Sequence, residues 1–348
     1  MLTTLLAAFV ALQAPSTQAP VVVTVDSSRH QVVITAGPYH LPAMMAGMSH
    51  EEMEHMEGVE TELRRFDWPV DGWFRGFSIE IRGADGQPLP RRLLHHMIMA
   101  NFDRRQLVYA AYERLMGAGQ ETADVSVPRT IGVPLKTGDK LGMYLMWHND
   151  IGKDVDGAYL VIRMLYTPKN QNPRPIDALP LYLDVNLTVG GDNVFDLPPG
   201  RTTKSHDFVL PVGGHLLGVG GHLHDYGTSV RLVDVASGKI LVQLNAVQDA
   251  KGEVIDIPRK LYGVTGEGLR LKAGRTYRVI GEYDNTSGQL IKDGAMAHMV
   301  GIFVPDDISK WPKLDLNDPG TKADLADLNA LGKMSGGMRM TPMNHMKN

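Results

Sequence analysis

Cysteine is absent from all 348 residues of this chain. That one absence excludes disulfides, thiolate metal sites, iron–sulfur clusters and cysteine nucleophiles. An excess of either charge is lacking too. With 35 Lys and Arg against 39 Asp and Glu, the net charge is −4, which gives no global attraction to nucleic acid or to an anionic membrane. No stretch reaches transmembrane length, so no membrane anchor is expected. Helical periodicity is scarce, and Lys322–Leu331 alone carries it.

What the chain holds in plenty is methionine and histidine, 19 and 13 residues respectively. Methionine ordinarily fills gaps in apolar cores, yet many of these lie in polar, glycine-containing stretches that cannot be core. The N-terminal apolar run Leu5–Leu12, followed by small residues, reads as part of a secretory signal over residues 1–20. It lacks a positively charged start, and the alternative is a ragged N-terminal strand. The mature protein is expected to be exported, periplasmic or secreted.

Short runs of β-branched and aromatic residues recur between turn-forming residues. Val21–Val25 and Gln31–Thr35 flank one such turn, and Gly76–Arg82 and Leu94–Phe102 read as a strand pair around Gly83–Gly86. Thr167–Ala178, rich in Pro, Asn and charge, reads as a connection between domains. The expectation is an all-β chain of two antiparallel β-sandwich domains, residues 21–178 and 179–310. A helical segment and a Met-rich tail would follow over 311–348.

Four places carry metal chemistry: His95-His96, His148, His222-Leu223-His224, and Met296 with His298 two residues on. On a strand His222 and His224 point the same way and can converge on one ion. Adjacent residues such as His95 and His96 face opposite sides unless a bulge or strand end intervenes. Imidazole suits copper and zinc alike, and a thioether such as Met296 tips the second site toward Cu(I). The three-histidine set does not name its metal, and it leaves open a zinc-dependent hydrolase with Asp103, Glu113 or Asp150 as base.

The order His95-His96-Met97, His148, His222-Leu223-His224, Met296 resembles the type II copper, ascorbate-dependent monooxygenases, the family of peptidylglycine α-hydroxylating and dopamine β-monooxygenases. The segments GWFRGFSIEIRGADGQPLPRRLLHHM, GGHLHDYGTSVRL and YDNTSGQLIKDGAM carry the likeness over roughly residues 70–305. The resemblance implies two jelly-roll-like sandwiches facing each other across a solvent-filled cleft. It implies one electron-transfer copper on His95, His96 and His148 and one catalytic copper on His222, His224 and Met296. It also implies O2, a small-molecule substrate with an aliphatic C–H bond, and ascorbate or another reductant. The family's substrate-holding arginine, two residues before the His-x-His pair, is here Gly220. The Asn and Tyr that follow its ligand Met are His298 and Val300.

Two segments fall outside that likeness. His40–His55 contains Met44, Met45, Met48, His50, Met53 and His55. The tail carries Met334, Met338, Met340, Met343, His345 and Met346. Clustered thioethers on a flexible chain suit exchangeable Cu(I), although an amphipathic helix is an equal reading of the first. With His215 and His298, residues His50, His55 and the tail donors are expected as auxiliary ligands. They support a rival function, copper storage, delivery or resistance through a copper-exchanging partner protein, without hydroxylase activity.

Overall fold

The computed structural model describes residues 21–43, 59–120, 122–149, 151–187, 193–263 and 267–332. Among these the fold is all-β, with a single α-helix, Pro319–Ala330, near its C-terminal end. The expected signal segment, His50, His55 and the six tail donors from Met334 to Met346 lie outside the described residues.

Two apolar cores organise the strands. In the first half, one sheet runs Val21–Asp26, Gln31–Leu41, Val155–Pro168, Gly72–Arg82, Ile131–Leu135. The facing sheet runs Lys140–Trp147, Leu94–Arg105, Tyr112–Gly119, with the short strands Val59–Glu60 and Arg64–Asp67 on its outer edge. Ile34, Ile81, Leu94, Met97, Met99, Leu145, Trp147 and Ile162 fill the space between. Six methionines, Met97, Met99, Met116, Met143, Met164 and Met299, are core residues, so part of the methionine excess is packing.

In the second half, Leu179–Asp184, Ala297–Pro305 and Gly214–Leu223 form one sheet, and Gly200–Val209, Thr276–Asn285, Gly227–Asp234 and Lys239–Asn245 the other. Thr276–Asn285 and Ala297–Pro305 alternate strictly between buried and half-buried residues, the period-2 pattern of a strand with one face on a core.

The pairing expected around Gly83–Gly86 is corrected. The turn exists, closed by the Gly86 amide on the Gly83 carbonyl at 2.9 Å. Gly72–Arg82 and Leu94–Arg105 nevertheless lie in different sheets, because the chain crosses the sandwich through the 3-10 turn Arg91–Leu93. Two strands that the sequence reading passed over, Tyr112–Gly119 and Ile131–Leu135, complete the first half.

The halves interlock. Leu107, from the loop after Leu94–Arg105, is buried in the second core, and Tyr109 and Ala111 beside it pack on Tyr182. The C-terminal segment then returns to the first half. The Trp311 indole donates to the Arg105 carbonyl at 2.9 Å, and Leu328 packs among Ala100, Phe102 and Tyr112. Asp324, buried, accepts from the Arg114 guanidinium at 2.6 and 3.1 Å and from the Tyr112 amide at 2.8 Å. Removing one partner of a buried ion pair strands the other. Asp324→Ala is therefore expected to destabilise the first half by about 3 kcal/mol, read as a lower urea midpoint. An unchanged midpoint would show that this pair does not hold the segment down.

Candidate metal centre

The first histidine pair sits where its strand is irregular. Lys140–Trp147 pairs Met146 with His96 and then Trp147 with Leu94, so His95 is an extra residue in the ladder. That is a β-bulge, and it cancels the alternation that would send adjacent side chains to opposite faces. The two rings accordingly stand together, with Nδ1 of His95 3.0 Å from Nδ1 of His96. Met97, next in sequence, turns into the core. His148 follows the end of the partner strand, its amide donating to the Leu93 carbonyl at 2.9 Å. Its ring lies 6.3 Å from that of His95 and within 20° of parallel to it.

The second set rests on register. Gly214–Leu223 pairs with Ala297–Pro305 so that His222 stands opposite His298 and Leu223 opposite Ala297. The His224 amide continues the ladder onto the Met296 carbonyl at 3.2 Å. His222 and His224 thus share a face, as do Met296 and His298, while Leu223 and Ala297 between them and Met299 after His298 are buried in the core. Gly221 permits this close packing, since a Cβ there would lie 2.9 Å from Val230. The rings of His222 and His224 are 5.3 Å apart, and those of His222 and His298 5.0 Å. Over Gly220 the Cγ of Arg259 lies 3.5 Å from where a Cβ would stand.

The two sets meet. The His95 ring lies 6.3 Å from the ring of His224, edge to face, so at this point the halves touch through their histidines. Burial, then His222, His95 and His96, hold the pKa of His224 well below the usual imidazole value. For His224 that favours the neutral ring, the form that binds metal.

Copper fits this donor set in kind. The Nδ1 atoms of His95 and His96, 3.0 Å apart, are the pair that would hold it in the first half. The arrangement is gathered and not closed: among the described residues no group of three His, Asp or Glu side chains stands ready to hold a metal ion. Two cavities, about 290 Å³ beside Gln243 and Lys260 and about 390 Å³ beside Arg104 and Trp311, do not include these histidines in their linings.

Other expected residues fall elsewhere. His215 is seven residues before His222, roughly 20 Å along the strand, and faces Glu267 at 3.9 Å; it does not join the cluster. Asp103 accepts from the Lys140 amide, and Glu113 is engaged by Arg104 at 2.9 Å. Neither is held toward the histidines as a hydrolytic base, and Asp150 lies outside the described residues.

Three residues around the site went unread in the sequence. Asp184 pairs in register with His298 and is fully buried. Tyr182 donates its hydroxyl to Asp184 Oδ2 at 2.6 Å and places its ring 5.0 Å from that of His298. The Tyr283 hydroxyl donates to the Met296 carbonyl and fixes that backbone. An acid closing the otherwise apolar run Leu179–Leu183 is the signal that could have found Asp184.

No family model and no curated protein matches the chain. Among solved structures it is similar to N-glycanase F, with 8% identity over 78% of this chain and 96% of that chain and a TM-score of 0.41. It is also similar to the major capsid protein P2 of bacteriophage PM2, with 12% identity over 78% and 98% of the two chains and a TM-score of 0.34. Likenesses at this level carry no argument about what the chain does.

The geometry makes a stoichiometric prediction. Under competition from a chromophoric Cu(I) chelator, the wild type is expected to retain two ions and His95→Ala one. Equal copper in the two proteins would remove His95 from the site.

Proposed function

We propose that this chain is an exported copper-dependent monooxygenase that hydroxylates an aliphatic C–H bond with O2 and a reductant such as ascorbate. The observation that carries this reading is the meeting of His95, His96 and His148 from one half with His222, His224 and Met296 from the other. Copper bound there would supply one-electron redox chemistry and a place for O2.

The chain's own residues do the rest. His222 and His224 offer imidazoles from one strand face, and Met296 adds the soft thioether that favours the reduced ion. Tyr283 pins the Met296 main chain. The bulge at His95 turns two imidazoles of the first half the same way. The His95–His224 ring contact would hold the two ligand sets next to each other across the seam.

A second reading, copper storage or delivery, is favoured by one feature of the described residues. Val59 pairs with Trp147, the residue before His148, and Glu60 accepts from the Gly332 amide at 3.2 Å. Val59–Glu60 and Gly332, which border the Met- and His-rich stretch and the Met-rich tail in sequence, therefore lie side by side, close to the first histidine set.

Stopped-flow oxygen consumption by the copper-loaded, ascorbate-reduced protein separates the two readings. Uptake in the wild type that disappears in both Met296→Ala and His222→Ala is the expected result. No uptake, with two Cu(I) ions still held, would overturn the enzyme reading and leave copper handling.

A further inference from the structure

The strand that carries His222 thins out just ahead of it. Gly218, Gly220 and His222 alternate with Val219 and Leu223, which are buried in the core, so the glycines lie on the face that His222 occupies. On one side runs Ala297–Pro305, with Val300 opposite Gly220 and Ile302 opposite Gly218. On the other runs Lys260–Leu261, with Leu261 opposite Gly218 and Lys260 opposite Val219. Continuing that register sets Arg259 beside Gly220, and the side chain follows. A Cβ at Gly220 would lie 3.5 Å from Arg259 Cγ and 3.9 Å from its Cδ, and apart from its chain neighbours no other described heavy atom stands within 4 Å. The two glycines thus form a low floor beside His222, edged by Leu261, Val300 and the stem of Arg259.

Arg259 is exposed, and its guanidinium reaches the first half. There Nη1 and Nη2 donate to the Asp124 main-chain carbonyl at 3.3 and 3.4 Å. These are long contacts to a neutral oxygen. The protein's own guanidinium–carboxylate pairs are closer, 2.6 Å for Arg114 with Asp324 and 2.9 Å for Arg104 with Glu113. Among the described residues no carboxylate forms an ion pair with Arg259, and the remaining N–H donors of the fork are not spent on the protein. Such a fork matches a carboxylate, which it binds through two parallel charge-assisted hydrogen bonds. His222 follows Gly220 by two residues, about 7 Å along the strand, a distance covered by an extended chain of about five carbons.

We propose that Arg259 anchors the carboxylate of an aliphatic acid over the floor of Gly218 and Gly220, so that the chain of the acid extends toward His222 and His224. This rests on the copper reading above and names the substrate class for it. The guanidinium fixes the charged end, Leu261 and Val300 offer apolar contact, and the strand spacing sets how far from the carboxylate the reacting C–H bond lies.

The test titrates the full chain, loaded with Cu(I) and kept free of O2, with hexanoate and with uncharged hexanamide, reading binding by calorimetry. The wild type is expected to prefer the acid about tenfold. Arg259→Gln is expected to lose that preference while keeping the affinity for the amide, and Arg259→Lys to retain part of it. Lys260→Gln removes a neighbouring charge from the other face of the strand, where Lys260 stands opposite buried Val219, and is expected to bind as the wild type does. Gly220→Val fills the floor and is expected to weaken both ligands with circular dichroism unchanged. If the wild type does not distinguish acid from amide, or Arg259→Gln binds hexanoate as tightly as the wild type, or Lys260→Gln loses as much as Arg259→Gln, this inference is overturned. The copper reading then stands if Cu(I) is still held against a chelator. A wild type that holds no Cu(I) overturns both.

Discussion

The register between Gly214–Leu223 and Ala297–Pro305 is the constraint on which the site depends. A strand has a side-chain period of two, so a slip of one residue would turn His222, His224, Met296 and His298 inward and drive Leu223, Ala297 and Met299 out of the core. Burial of those three residues and the space left by Gly221 therefore set the positions of the donors. The positions of these four side chains are attached to the hydrophobic pattern, and the two cannot be separated by a single shift.

The first half solves a harder problem by breaking the rule that the second obeys. Two adjacent histidines are brought to one side by a bulge, at the cost of a local gap in the ladder. Around this seam the halves are tied without a disulfide. Leu107 sits in the opposite core, Tyr109 clamps Asp184, and Trp311 and Asp324 fasten the C-terminal segment back onto the first half.

Much of this was legible in the sequence where one rule acted alone. His-x-His on a strand implied a shared face, and the condition stated for His95-His96, a bulge or strand end, is met. The helix expected at Lys322–Leu331 spans Pro319–Ala330. What escaped depended on non-local pairing. Gly83–Gly86 has the composition of a hairpin turn, but the strands on either side of it join different sheets. Asp184 is invisible as a site residue until Leu179–Asp184 is laid beside Ala297–Pro305, 114 positions away at the Asp184–His298 pair. The ring contact between the two histidine sets likewise forms between the halves, which no local pattern encodes.

Electron paramagnetic resonance of the fully loaded Cu(II) protein tests the central claim most directly, because magnetic dipolar coupling reads the separation of the two ligand sets in solution. Histidine sets that touch across the seam predict a strongly broadened spectrum with a half-field transition, which collapses to an isolated Cu(II) signal in His95→Ala. Two sharp, independent Cu(II) signals in the wild type would contradict two ligand sets that meet across the seam.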